Sequence, residues 1–147
     1  MQASNRSYPD TDFGKPAPAQ AYAGDISPQL AFQWWRAGDA VLIDVRSDAE
    51  REWVGYVPGA VPLAWKQWPG MVMNPNFDLA LMAAAAGKKV VLLCRSGVRS
   101  IAAARRATEL GLEAYNILEG FEGNPDAQAQ RGHLGGWRCH GLPWRQG

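Results

Sequence analysis

A cysteine and two arginines stand together in "LLCRSGVRSIAAA" (residues 92–104), where an apolar run ends and a predicted helix begins. Arg95 has no use inside a buried strand, and Arg99 adds positive charge to a helix start that is already positive. Because this arrangement is costly as structure, it indicates chemistry. Arginines beside a cysteine thiolate suit the binding of a small anion and nucleophilic attack on it.

The loop after Cys94 has the composition of an anion cradle. Gly97 lets the backbone curl, so that successive N–H groups point inward at the positive end of the next helix and favour thiolate over thiol. The alternative is a small buried hydrophobe, which is how most lone cysteines behave. The turn, the arginines and the helix start argue against that alternative. The predicted nucleophile is Cys94, and the predicted binding loop is Arg95, Ser96, Gly97, Val98, Arg99 and Ser100, whose serines can donate hydroxyl hydrogen bonds.

The strands that position this loop follow from the apolar runs. Residues 40–45, 59–64 and 89–94 are predicted strands, the last being the most central, and 113–120 is a further one. Helical segments separate these strands. Strands that alternate with helices predict an α/β domain, with a mainly parallel central sheet flanked by helices on both faces.

Four helices are predicted from capping signals and apolar runs. Ser27 as N-cap with Pro28 begins the first, and Ser47 with Glu50 has the spacing of a capping box. "DLALMAAAAG" and the segment after the cysteine loop predict the other two. In open parallel sheets, ligands bind where a strand ends and the next helix begins, which is where the cysteine stands.

Composition limits the class of protein. The 147 residues suit one domain, and 47% hydrophobic with 20% charged residues is ordinary for a soluble globule. The net charge of +1 gives no sign of a nucleic-acid partner, and the four arginines of residues 94–106 suit a local anion site better. We predict an irregular arm at 1–24 and a single domain at 25–144 that includes a Gly- and Trp-rich closing segment.

Cysteine use and apolar patterning predict a cytoplasmic protein without a membrane partner. Cys94 and Cys139 can form at most one disulfide, so a reducing compartment is expected. The N-terminus has no apolar stretch of the kind that signal peptides carry. The longest apolar run is too short to span a bilayer.

Several segments resemble the rhodaneses, which are sulfurtransferases of thiosulfate and related sulfur donors. "CRSGVRS" resembles their active-site loop. "VLIDVRSDAEREWVGYVPGAVPLA" resembles the segment in which a strand ends in Asp-x-Arg and leads to Gly-His-Ile-Pro-Gly-Ala, with Tyr56 and Val57 in place of the His and Ile. The resemblance spans residues 25–144 in family order, since "GLEAYNILEGFEG" resembles the strand and turn after the active-site helix and "GGWRCHGLPW" the closing segment.

The resemblance implies a rhodanese-like fold and transfer of sulfur through a persulfide on Cys94. The thiolate takes the outer sulfur of thiosulfate or a similar small anionic donor, and a cyanide, thiol or protein acceptor then removes it. Arg95 and Arg99 are implied to bind the donor's sulfonate oxygens, although either one can be the residue that braces the loop instead. Asp44 and Arg46 are implied to support the loop from the same sheet edge, the alternative being an ion pair that merely closes a strand.

Two other hypotheses stay open. One is a sulfur-carrier or regulatory module that acts on a protein partner, which the small size favours. The other is a phosphatase or arsenate reductase of the same fold. Against it, the related dual-specificity phosphatases place five residues between Cys and Arg, whereas Cys94 and Arg99 enclose four. The acid that a phosphatase needs is also missing between Glu52 and Glu109, except for Asp78.

The tail is expected to contribute no chemistry. Cys139 is predicted to be an ordinary residue, the alternative being a resolving thiol, because only Arg138 and His140 near it are basic. A metal site at His133, Cys139 and His140 is rejected, since three scattered ligands lack a fourth. The implied reaction needs no metal and no organic cofactor.

Overall fold

The computed structural model describes residues 21–147. Most of the predicted arm at 1–24 lies outside these residues. Gly24, which we assigned to the arm, is instead the first residue of a strand. The boundary between arm and domain stays a prediction.

Seven strands and four helices occur in the described chain, and they alternate as predicted along most of its length. The helices are α1 (Pro28–Arg36), α2 (Asp48–Trp53), α3 (Phe77–Ala85) and α4 (Arg99–Glu109). The strands are β1 (Gly24–Ile26), β2 (Ala40–Asp44), β3 (Val61–Pro62), β4 (Lys66–Gln67), β5 (Val72–Met73), β6 (Lys89–Leu93) and β7 (Ala114–Ile117).

Five strands form one sheet in the order β1-β7-β6-β2-β3, and every neighbouring pair in it is parallel. The apolar run that ends at the cysteine is β6, in the middle of the sheet, as predicted. Ala40 pairs with Lys89 and Asp44 with Leu93, so β2 and β6 end side by side. The residues that follow these two strands therefore share one edge of the sheet.

Two layers of side chains cover the two faces of this sheet, because successive residues of a strand point to opposite faces. On one face, Ile43 and Leu92 pack with the apolar residues of α3 and α4. On the other face, Leu42 and Leu93 pack with α1 and with Trp137 of the closing segment. The prediction of an α/β sheet covered on both faces is confirmed.

The predicted strand at 59–64 is much shorter in the structure. Only Val61 and Pro62 pair, with Ile43 and Asp44 of β2, at the edge of the sheet. Proline has no N–H to donate to a ladder, which confines it to edge positions. The sequence analysis also missed the antiparallel hairpin of β4 and β5, because two-residue strands leave no apolar alternation to detect.

The closing segment packs on the domain through its tryptophans, as expected. Trp137 is fully buried, and its indole N–H donates to the carbonyl of Pro143 at 2.8 Å. Its backbone N–H donates to the carbonyl of Gly120 at 2.8 Å, directly after β7. No helix within residues 21–147 is long and apolar enough to cross a membrane.

Candidate active site

Cys94 is the first residue after β6, and its side chain is only 1% exposed. The backbone N–H of Gly97 donates to its Sγ across 3.1 Å. The hydroxyl oxygen of Ser100 lies 3.2 Å from the same sulfur. The structure therefore brings the predicted nucleophile and two residues of the predicted loop together around one sulfur atom.

The loop curls because Gly97 adopts a φ of +102°, which a residue with a side chain rarely does. Immediately after it, α4 begins with Val98 at the N-cap, and no side chain caps the helix. The first N–H groups of a helix without a side-chain cap are available to an anion. Ser96 is half-buried and Val98 is exposed, so the loop has an open side.

Two backbone hydrogen bonds from the turn after β7 hold the loop in place. The N–H of Phe121 donates to the carbonyl of Cys94 at 2.8 Å, and that of Glu122 to the carbonyl of Arg95 at 2.9 Å. At Gly120 a Cβ atom would lie 2.5 Å from the Cys94 carbonyl oxygen. Position 120 therefore requires glycine, and the sequence analysis did not identify this requirement.

The two arginines of the loop have different surroundings. Arg99 forms a two-pronged ion pair with Glu50, with Nη1 to Oε1 at 2.6 Å and Nη2 to Oε2 at 2.7 Å. Arg95 is exposed and lines the pocket at the mouth of the loop. Arg99 is thus held by an ion pair and Arg95 is not, whereas the assignment of one of them to the substrate stays a prediction.

Glu50 also completes the predicted capping box at the start of α2. Its Oε1 accepts hydrogen bonds from the N–H of Ser47 at 3.1 Å and from the hydroxyl at 3.0 Å. Burial raises the pKa of Glu50, but the hydrogen bond and charge of Arg99, with the Ser47 bonds, outweigh it and bring the pKa to about 2. This carboxylate joins the starts of α2 and α4.

Protonation of Glu50 at low pH should therefore lower the free energy of unfolding. A carboxyl with a lowered folded pKa stabilises the protein fully above its unfolded value of 4.5, and this contribution is lost as the pH falls towards about 2. We expect the wild type to lose about 2–3 kcal/mol more unfolding free energy over this range than Glu50→Gln does. Urea unfolding of both proteins at several pH values measures this. Parallel pH profiles would contradict it.

A pocket of about 580 Å³ opens beside the loop. Arg95 and Arg131 line it without a carboxylate partner among the described residues, whereas Glu122 adds an acid to its wall. Trp53 and Trp68 stand at its rim and are 76% and 67% exposed. The pocket thus combines cations that can attract an anion with apolar tryptophan rings.

Asp44 and Arg46 form a buried ion pair, with Nε to Oδ1 at 3.0 Å and Nη2 to Oδ2 at 2.8 Å. The guanidinium also donates to the carbonyl of Gly55 at 2.9 Å and lies 4.2 Å over the ring of Phe121. Because the N–H of Phe121 holds the carbonyl of Cys94, the pair reaches the loop through one intervening residue. This geometry is that of a support, not of a substrate contact.

Cys139 is exposed, and its Sγ lies 3.7 Å from the carbonyl oxygen of His133. The two histidines that we considered as metal ligands have separate partners. His133 pairs with Asp126 at 2.6 Å, and His140 pairs with Glu119 at 2.8 Å.

For the sulfur transfer that the resemblance implies, we expect Cys139→Ser to leave thiosulfate turnover within about twofold of the wild-type value, because Cys139 does not line the pocket and its Sγ bonds to the carbonyl of His133. Steady-state rates with thiosulfate and cyanide test this. A tenfold loss, about 1.4 kcal/mol of transition-state stabilisation, would indicate a sulfur relay through the tail.

Comparison with known proteins agrees with the fold. Residues 27–124 match the rhodanese-like domain family. An uncharacterized protein of Rickettsia prowazekii is 32% identical over 111 residues, which cover 73% of this chain and 84% of that protein. A crystal structure of a protein from M. tuberculosis is 46% identical, with a TM-score of 0.76, over 86% of this chain and 99% of that one. A polysulfide-sulfur transferase of Wolinella succinogenes shares the fold at 20% identity, with a TM-score of 0.58, over 86% and 80% of the chains. The chain belongs to the rhodanese-like domain family.

Proposed function

We propose that the protein is a sulfurtransferase that moves a sulfane sulfur from thiosulfate, or a similar small anionic donor, to a cyanide or thiol acceptor through a persulfide on Cys94. The observation that carries the proposal is the sulfur of Cys94, which accepts the N–H of Gly97 at 3.1 Å at the start of a helix without a side-chain cap. Such a site stabilises a thiolate and binds an anion beside it.

In the first step, the Cys94 thiolate attacks the outer sulfur of thiosulfate. A bond forms between the two sulfurs, the S–S bond of thiosulfate breaks, and sulfite leaves with its electron pair. Arg95 is the cation without a carboxylate partner closest in sequence to the nucleophile, and we assign to it the binding of the sulfonate oxygens. Arg99 lines the same pocket, but its charge is paired with Glu50 through both Nη atoms, so it attracts an anion less strongly.

In the second step, the acceptor attacks the terminal sulfur of the persulfide. With cyanide, thiocyanate leaves and the Cys94 thiolate returns, so no oxidant or reductant is needed. The pocket of about 580 Å³ leaves room beyond a thiosulfate ion, and its tryptophan rim suits an acceptor larger than cyanide. Splitting one transfer into two covalent steps is ordinary nucleophilic catalysis.

Two further observations support this function. The polysulfide-sulfur transferase of Wolinella succinogenes shares the fold, so a relative in shape performs sulfur transfer. The four residues between Cys94 and Arg99 make a cradle that suits the terminal sulfur of a persulfide better than a phosphate.

Mass spectrometry of the intact protein after incubation with thiosulfate tests the proposal. We expect a gain of one sulfur atom, mapped by peptide analysis to Cys94 and removed by cyanide. Cys139→Ser is the matched control and should gain the same mass. If the wild type gains no sulfur, or gains it at Cys139, the persulfide mechanism is wrong. A persulfide that forms but does not react with cyanide would favour a carrier for a protein partner.

Phosphatase chemistry is the second candidate, because an acidic residue lies in the pocket wall. Asp78, the acid that the sequence pointed to, pairs with Arg106 and does not line the pocket. The pocket wall nevertheless carries Glu122, which lies outside the segment between Glu52 and Glu109 that the sequence analysis considered. Hydrolysis of p-nitrophenyl phosphate that depends on both Cys94 and Glu122 would establish this activity. We expect none, since the cradle is one residue shorter than those of the phosphatases.

A further inference from the structure

A buried chain of polar side chains runs from the nucleophile to the edge of the sheet. The hydroxyl of Ser100 lies 3.2 Å from Cys94 Sγ and 2.5 Å from Oδ1 of Asn116. The amide nitrogen of Asn116 donates to Oδ1 of Asp25 at 3.0 Å. Ser100 and Asn116 are almost completely buried, so water does not replace these bonds. The mechanism described above makes no use of this chain.

The direction of each hydrogen bond follows from counting donors. The ionised carboxylate of Asp25 can only accept, so it must receive the Nδ2–H of Asn116. Oδ1 of Asn116 then faces Ser100 and can only accept in turn. A serine hydroxyl has one proton, and here Asn116 receives it. Only lone pairs of the Ser100 oxygen remain for Cys94.

We propose that Asn116, oriented by Asp25, is a positioning residue that withholds the Ser100 proton from the thiolate of Cys94. The proposal rests on the proposed function in taking Cys94 as the reacting thiol. It gives the hydroxyl proton of Ser100, which the sequence analysis considered as a donor of the binding loop, to Asn116 instead. In this arrangement the Cys94 thiol donates its S–H to Ser100, and on ionisation that proton leaves to solvent.

The consequence for sulfur transfer follows from the charges of the two states. The thiolate, once formed, is charged and is denied one hydrogen bond, whereas the inner sulfur of the persulfide is neutral and does not need one. Asn116 therefore raises the free energy of the thiolate relative to the persulfide and favours loading. A thiolate that is less stabilised is also the stronger nucleophile.

Charged groups on other elements also lie around the Cys94 loop. Arg99 of α4 interacts electrostatically with Cys94, Asp44 and Glu50. Arg95 of the loop and Glu122 of the turn after β7 line the adjoining pocket. None of these groups takes part in the hydrogen bonds of Ser100, so a double-mutant cycle can separate the two effects.

The test is the pH profile of Cys94 alkylation by iodoacetamide, measured on the intact protein in a Cys139→Ser background because Cys139 is exposed. Asn116→Leu keeps the approximate shape but removes the acceptor, and so frees the Ser100 proton. We expect the midpoint of the profile to fall by about one pH unit, since a hydrogen bond to a charged group becomes available. The plateau rate should fall about threefold, because nucleophilicity decreases with basicity.

The second arm repeats the substitution in a Ser100→Ala background, where we expect Asn116→Leu to leave the midpoint unchanged. Tyr22→Phe is the matched control, because it removes a different hydrogen bond to Asp25, of 2.8 Å, and leaves that of Asn116 in place. Its midpoint should equal that of the parent protein. A rise in the midpoint with Asn116→Leu, or the same fall without Ser100, would overturn the proposal.

A further variant covers the case in which Asn116→Leu does not fold. Asn116→Ala removes the same acceptor with a smaller side chain and again frees the Ser100 proton. The midpoint should fall in this variant too, and only while Ser100 is present. Alkylation requires no sulfur donor. If the effect of Asn116→Leu on the midpoint depends on Ser100 but thiosulfate leaves no adduct, only the proposed function is rejected. If thiosulfate leaves an adduct but the effect of Asn116→Leu does not depend on Ser100, only the role of Asn116 is rejected.

Discussion

Cys94→Ser is expected to lower thiosulfate:cyanide turnover by at least about 1000-fold, which corresponds to about 4 kcal/mol of transition-state stabilisation. A serine hydroxyl is not ionised near neutral pH, and its oxygen does not form a stable bond to a sulfane sulfur. The fold should remain intact, because a serine oxygen at this buried position can still accept the N–H of Gly97. Steady-state rates and thermal unfolding of the same preparations measure both effects.

The matched control for this substitution is Cys139→Ser, which changes the other cysteine of the chain. If Cys94→Ser retained turnover within tenfold of the wild type, sulfur would have to pass through Cys139 or bind without a covalent step. Loss of turnover together with loss of the folded state would leave the nucleophile unassigned, and Cys94→Ala then provides a second variant without a hydroxyl.

Arg46→Met is expected to lower the free energy of unfolding by about 3–5 kcal/mol, the usual effect of breaking a buried ion pair from one side. Arg46 is fully buried, and its removal leaves the Asp44 carboxylate without its ion-pair partner and the Gly55 carbonyl without that donor. It also removes the guanidinium from the ring of Phe121. Urea unfolding near neutral pH measures the change.

Two comparisons show whether the buried charge is the cause. In the double variant Asp44→Asn with Arg46→Met no uncompensated charge remains, so part of the loss should be recovered. Arg106→Met removes an arginine whose side chain is 40% exposed, and it should lower the free energy of unfolding much less than Arg46→Met does. Equal losses for Arg46 and Arg106 would contradict the argument.

The elements that could be predicted are those that a short, continuous stretch of sequence specifies. The apolar run before Cys94 is long enough to identify a central strand, and the capping box of Ser47 and Glu50 identified α2 to the residue. The two-residue strands β3, β4 and β5 have no period to detect. They exist because the chain around them is held by other elements, as Val61 is held against Ile43.

The same distinction applies to the candidate site. The cradle could be predicted because its nucleophile, its glycine and the helix start lie within a few consecutive residues. The partners of these residues could not, because Glu50 is 49 positions from Arg99 and Asn116 is 16 positions from Ser100. Only the pairing of strands brings such groups together, and an ordinary asparagine in a strand carries no signal of the serine it will contact.

The ion pair of Arg99 with Glu50 also bears on the order in which the molecule assembles. Its partners are separated by 49 positions, as are the paired residues of β2 and β6, and such non-local contacts form only after a long loop has closed. The carbonyl of Cys94 accepts its hydrogen bond from the N–H of Phe121, which lies further along the chain. The ion pair that holds Arg99 and the hydrogen bond that fixes the Cys94 carbonyl therefore form only with the finished tertiary structure.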